Sequence, residues 1–251
     1  MYPYIHTPYG DIPVFTCCVA LGIVLMFVGL FMELRKEEHS DVEMAYIVPR
    51  VMIAGMGGFV CALLVDFVFK YAKYRELRPY GMTFYGALIG ASVIMYCLLK
   101  GSKGKTRYTI EEWFNMLACP FLLFHAIGRV GCFLGGCCYG RYSNVFFAVA
   151  FPDNEAAGIF HHGMRCLPTQ LFEALALVII LLIVMHARRK YLLYLALYAP
   201  VRFLLEFLRG DDRGESFSVL SPSQWISLFI ICGLLIYGIG MRKKKQKTNT
   251  M

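Results

Sequence analysis

The chain has 251 residues, 58% hydrophobic and only 17% charged, with 20 Phe, 16 Tyr and a formal net charge of +8. Ordinary soluble domains carry about 25% charged and about 45–50% apolar residues. One soluble core of this size cannot hide so much apolar surface, and a disordered or fibrous chain would not carry it, so both classes are excluded.

What remains is an all-α polytopic membrane protein, read as one transmembrane domain over 1–251. Each crossing takes about 20 apolar residues. Apolar runs at 12–33, 46–69, 82–99, 113–134, 169–186, 192–208 and 222–241 predict seven transmembrane helices. The first run has no basic residue before it, so it reads as a retained span rather than a cleaved signal. Basic residues follow the odd-numbered runs: Arg35 and Lys36; Lys100, Lys103, Lys105 and Arg107; Arg188, Arg189 and Lys190; and Arg242, Lys243, Lys244, Lys245 and Lys247. These 14 of the 25 basic residues place the N-terminus outside and the C-terminus in the cytoplasm. Lys70, Lys73, Arg75 and Arg78 break the rule, and 70–80 reads as an amphipathic stretch lying at the interface. The loop 139–168 is predicted to be external. The tail 242–251 is read as a juxtamembrane basic segment facing anionic lipid, not nucleic acid.

Charge inside a membrane costs a few kcal/mol even on lenient scales, so polar groups within the runs are candidate functional residues (about 3 kcal/mol each). Arg129 stands near the outer end of run four, among Gly128, Gly131, Gly135, Gly136 and Gly140. Its guanidinium fork suits a phosphate, and the glycines would let backbone or ligand approach closely. The alternative is that the glycines pack helices and Arg129 holds a carboxylate. In run six, Tyr198, Arg202, Glu206 and Arg209 form a polar stripe at helical spacing; here the alternative is a self-contained Arg202–Glu206 pair. Run five opens with Pro168, Thr169, Gln170 and Glu173, where Thr169 is a possible helix cap and Glu173 sits at a favourable N-terminal position. Tyr85 opens run three as either an interfacial anchor or a ligand-facing phenol.

Ten cysteines are present, six of them inside apolar runs as small hydrophobes. Cys132, Cys137 and Cys138 lie in a glycine-rich turn near His125. Their spacing is not a zinc pattern, and they are read as packing residues, with a soft metal or redox role as the rival. No metal ligand set and no cofactor site is predicted.

The segments GMTFYGALIGA, HAIGRVGCFLGGCCYGR, RCLPTQLFEA, YAPVRFLLEFLRGDDRG and LSPSQWISL, in this order, resemble the prolipoprotein diacylglyceryl transferase family of bacterial membrane enzymes. The resemblance implies seven spans with the N-terminus outside, in the bacterial inner (plasma) membrane. It also implies transfer of a diacylglyceryl group from phosphatidylglycerol to the cysteine thiol of a prolipoprotein signal peptide, releasing glycerol phosphate without a metal. By position, Arg129 and Arg202 match the family's phospholipid-binding arginines, and Tyr198 and Glu206 match its other essential polar residues on that helix. Catalytic roles are expected for Arg129, Arg202, Tyr198 and Tyr85. Substrate contacts are expected from Glu206, Arg209, Gln170, Gly131 and Gly140. Both arginines are expected to hold phosphate rather than a carboxylate. The sequence departs from the family where Tyr85 replaces a histidine, and where Cys132, Gly135 and Cys137 replace two asparagines and a glutamate. Those departures leave open a transferase with a different acceptor, and a non-catalytic lipid-binding or thiol-redox protein.

Overall fold

Seven α-helices occupy the seven predicted runs in a computed structural model that describes residues 3–8, 10–35, 40–74, 82–102, 104–153, 161–210 and 220–249. They are α1 (Val14–Leu34), α2 (Ser40–Tyr74), α3 (Phe84–Lys100), α4 (Ile110–Leu134), α5 (Thr169–Val184), α6 (Lys190–Leu205) and α7 (Pro222–Asn249). α1, α2, α4, α6 and α7 are long and apolar enough to cross a bilayer, whereas α3 and α5 are apolar but shorter, at 17 and 16 residues. Pro49, Pro120 and Pro200 lie inside α2, α4 and α6, as membrane helices tolerate better than soluble ones. Much of the outward surface is apolar, including Val24, Met56 and Ile236, and lipid solvates such a surface where water does not.

Two features were not expected from the runs. Before α1, β1 (Tyr4–Thr7) and β2 (Gly10–Pro13) form an antiparallel hairpin with Thr7 opposite Gly10. Gly10 has φ +127°, open to glycine and strained for other residues. In the 139–168 loop, β3 (Val149–Ala150) pairs with β4 (Arg165–Cys166). The interfacial stretch proposed at 70–80 is a continuation of α2 as far as Tyr74; its remainder lies outside the described residues. The basic tail begins as an extension of α7, with the side chains from 243 onward outside the described residues.

The chain divides into two compact units, and α1 and α4 each contribute one half to either. The unit built mainly from 23–121 has a core of Leu30, Leu34, Tyr46, Ile47, Ala54, Met95, Leu99 and Trp113. In it α2 and α3 meet through small residues. A Cβ on Gly58 would stand 2.8 Å from the Ala87 carbonyl oxygen, and one on Gly86 3.0 Å from that of Cys61. Close backbone approach of this kind replaces the hydrophobic drive that lipid removes. α4 starts with a capping box. The Thr109 amide donates to Glu112 Oε2 at 2.7 Å, and the Glu112 amide donates to Thr109 Oγ1 at 3.3 Å. The second unit, from 1–22, 122–211 and 223–251, carries most of the polar stripe predicted above.

Candidate functional site

Glu173, 1% exposed one turn into α5, is the hub of a buried polar network. Its Oε1 receives the Arg129 guanidinium from α4 at 3.1 Å and the Tyr198 hydroxyl from α6 at 2.6 Å. His125, one turn before Arg129, places Nε2 3.9 Å from the same oxygen and Nδ1 3.4 Å from the Tyr194 hydroxyl. The His125 ring meets Tyr198 edge-on at 5.0 Å, and Tyr194 stacks on Tyr198 at 5.6 Å. Three helices thus supply one residue set, because 125 and 129, 194 and 198, and 170 and 173 each recur at helical spacing.

Farther along α6, Arg202 is 1% exposed. Its Nη2 lies 2.6 Å from Glu206 Oε2 and donates to Ser223 Oγ at the start of α7 at 3.4 Å. Nη1 of the same guanidinium is buried without a hydrogen-bond partner among the described residues. α6 ends in a single 3-10 turn, Glu206–Leu208, and Arg209 follows, 8% exposed. The segment after that turn pairs with Gly140, whose neighbours 139–142 are bonded to 165–167 on their other side. A Cβ on Gly140 would stand 2.7–2.8 Å from Leu167 Cβ and from the Leu167 and Leu208 carbonyl oxygens. Only glycine lets these three backbone segments close.

Several sequence expectations change here. Arg129 and Arg202 each hold a carboxylate, Glu173 and Glu206, where phosphate alone was expected. Thr169 is not a cap. Pro168 occupies the cap position with no side-chain bond, and the Thr169 hydroxyl donates to the Cys138 carbonyl at 3.1 Å. Gln170 Nε2 donates to the Cys137 carbonyl at 2.7 Å, while its Oε1 is buried without a partner among the described residues. Gly131 packs α4 against α1, its notional Cβ 2.8 Å from Cys18 Cβ, so Gly131 and Gly140 act as close-approach positions; Gly128 has open space. Tyr85, in the unit built from 23–121, is 1% exposed, which argues against an interfacial anchor.

Glu173 was not among the expected site residues, His125 was expected only beside the cysteine turn, and Ser223 was not expected. Nor, in the other unit, was Asp66, a buried carboxylate within α2 that accepts from Thr83 Oγ1 at 3.4 Å, two residues before Tyr85. The signal for Glu173, His125 and Asp66 was available: each is an ionisable group inside an apolar run.

The 139–168 loop has its own buried centre. His161, fully buried, lies 3.0 Å through Nε2 from the Gly136 carbonyl and 3.7 Å through Nδ1 from Cys166 Sγ. Asp153 Oδ1 accepts the amides of His161 at 2.5 Å and His162 at 3.0 Å. Those two amides hold the Asp153 carboxyl below its usual range, and burial pushes the Cys166 thiol up.

A family model described as prolipoprotein diacylglyceryl transferase matches residues 4–239. The chain belongs to this family. It is 29% identical over 238 residues to the phosphatidylglycerol–prolipoprotein diacylglyceryl transferase of Clostridium tetani, covering 90% of this chain and 92% of the relative. Transferase 2 of that name from Clostridium perfringens is 34% identical over 177 residues, 67% of this chain and 66% of the relative. The Dehalococcoides mccartyi transferase is 28% identical over 244 residues, 91% and 88% respectively. As a member of the prolipoprotein diacylglyceryl transferase family, the chain is a transferase.

Proposed function

We propose that this chain moves a diacylglyceryl group from phosphatidylglycerol to the thiol of a prolipoprotein signal-peptide cysteine, at a bacterial inner membrane that its seven helices cross. Beyond family membership, the buried Arg202 Nη1 carries the reading to the site. A guanidinium donor without an acceptor among the described residues, beside Glu206 and Ser223, suits a phosphate oxygen. Arg129 supplies a second fork on α4.

The chemistry is a displacement at carbon. The thiolate sulfur attacks the phosphate-bearing carbon of the diacylglyceryl moiety, not that of the headgroup glycerol. A carbon–sulfur bond forms, the carbon–oxygen bond breaks, and the electron pair leaves on glycerol phosphate. The thiol proton passes to water or to the outgoing phosphate. Free thiols ionise near pH 8.5, so positive charge at the site favours the nucleophile as well as the leaving group. One such preorganised electrostatic contact is worth about 3 kcal/mol. Glu173 and Tyr198 hold Arg129 in place, and Glu206 holds Arg202; Gln170 and Arg209 border the same unit. Tyr85 is read as a hydrogen-bond donor rather than the base, since a phenol ionising near pH 10 is a poor base.

Complementation tests the proposal. Expression in cells depleted of their own enzyme should restore diacylglyceryl modification of a reporter prolipoprotein. If modification is absent while the purified chain still consumes phosphatidylglycerol, the acceptor is not the prolipoprotein cysteine. If neither occurs, the transferase reading fails.

A further inference from the structure

The turn that leaves α4 brings together three thiols that the transfer reaction does not use. Sγ atoms of Cys132, Cys137 and Cys138 all lie within 4.8 Å of one another. The backbone enforces this. Gly136 and Cys138 both have left-handed φ, +71° and +61°, and the second is strained for a residue with a Cβ. The Cys137 amide closes back onto the Cys132 carbonyl at 3.1 Å. The far side of the turn is fastened by α5, since Gln170 and Thr169 bond the carbonyls of Cys137 and Cys138. The three sulfurs are therefore positioned before any ligand arrives.

We propose that Cys132, Cys137 and Cys138 form a three-thiolate site for a soft, thiophilic cation of the copper(I) and zinc class. Metal–sulfur bonds to such ions are about 2.3 Å, so three sulfurs around one ion stand about 4 Å apart, within a small side-chain rotation of the spacing here. A disulfide needs sulfurs about 2 Å apart, and adjacent residues such as Cys137 and Cys138 bridge poorly. Thiolate ligands select soft ions over magnesium or calcium. Three thiolates leave a negative charge on a bound cation, and the Arg129 guanidinium lies within electrostatic reach of Cys132 and Cys138 to offset it. Binding releases thiol protons to buffer and involves no electron transfer. The turn's spacing in sequence suggests packing; its closure on itself in space adds a ligand set.

The test uses the full chain, reduced and purified in detergent, with cadmium(II) alone and copper(I) alone as probes. One equivalent of either ion should produce a thiolate-to-metal charge-transfer band and shield Cys132, Cys137 and Cys138 from alkylation, as located by peptide mass spectrometry. The band should vanish when these three become serine and persist when the other seven cysteines do. Should the triple variant fail to fold, alkylation of the unaltered chain still decides the matter. Absence of a one-equivalent band with both ions, or protection at other cysteines with these three still reactive, overturns the site. Neither readout depends on transferase activity.

Discussion

A carboxylate buried to 1% exposure, as Glu173 is, costs several kcal/mol unless it is paired, and removing one partner of a buried pair typically costs about 3–5 kcal/mol. Glu173 meets that cost with Arg129 and Tyr198, and Arg202 is balanced by Glu206. The two arginines are thereby held in fixed forks, which lysine does not reproduce. Arg129→Lys and Arg202→Lys should each keep the charge yet lower phosphatidylglycerol binding and transfer by at least tenfold. Equal lipid binding by both variants, measured on nanodiscs containing phosphatidylglycerol, would remove the headgroup role. Tyr85 offers a cleaner reading, because it is buried and stands where the resemblance implies a histidine. If its hydroxyl orients the headgroup, Tyr85→Phe loses about 1–3 kcal/mol, a rate decrease of roughly ten- to a hundredfold, and the pH–rate profile keeps its shape. Near-complete loss, with a parent rate still rising above pH 8, would make the phenol the base. An unchanged rate would withdraw Tyr85 from the site. The arginines and Tyr198 were legible in the sequence because charge and hydroxyls stand out in apolar runs. Glu173 reads in the sequence as a favourable charge near a helix N-terminus, since its local position suits both roles and only the approach of α4 and α6 distinguishes them.

At the scale of elements, helices were legible and the joints between them were not. Run length and apolarity located all seven helices to within a few residues, except that α2 and α7 extend farther into basic sequence. The hairpin before α1 and the β3–β4 pair rest on turns and cross-chain bonds with no periodicity to read. Gly140 shows what such a joint depends on. Gly140→Ala forces a methyl against two carbonyl oxygens at 2.8 Å, and backbone cannot yield as a side chain can. It should lower stability by about 1–3 kcal/mol, seen as a lower thermal midpoint by intrinsic fluorescence. Gly128→Ala, with nothing among the described residues within 4 Å of its Cβ, is the silent control on the packing side. The loop's second joint is Asp153, whose carboxylate accepts two amides and whose folded pKa is therefore depressed. A depressed carboxyl stabilises the fold above its unfolded pKa, about 3.9, and that contribution fades as pH falls through the folded value. Protection of the His161 and His162 amides, taken as the exchange rate relative to the intrinsic rate at each pH, should be high at pH 7 and fall as pH drops below the usual carboxylate range through the depressed folded value. In Asp153→Ala protection should be low at every pH. Protection in that variant equal to the parent would show that other contacts hold the turn.

For the whole molecule, the open quantity is how many helices cross. At 1.5 Å per residue, α3 and α5 are roughly 24–26 Å long, somewhat short of a hydrocarbon core of about 30 Å. The other five are long enough on their own. Counting five or seven crossings gives an odd number either way, so with the N-terminus outside the C-terminus is cytoplasmic in both schemes. The intermediate loops differ. If only the five long helices cross, Lys100, Lys105 and Arg107 fall outside and the Asp153 loop falls inside. If all seven cross, those three basic residues join Arg35 and Arg188 in the cytoplasm and the Asp153 loop is external, as the bias of short basic loops toward the cytoplasm requires. Modest mismatch in α3 and α5 is accommodated by local thinning of the bilayer at a fraction of a kcal/mol per Å. A reporter that is active only outside the cytoplasm should therefore work when inserted beside Asp153 and fail when inserted beside Lys105. A fusion after Lys247 should be cytoplasmic under both schemes and serves as the control. Activity at Lys105 with none at Asp153 would mean that α3 and α5 do not cross, and would place the 139–168 loop in the cytoplasm.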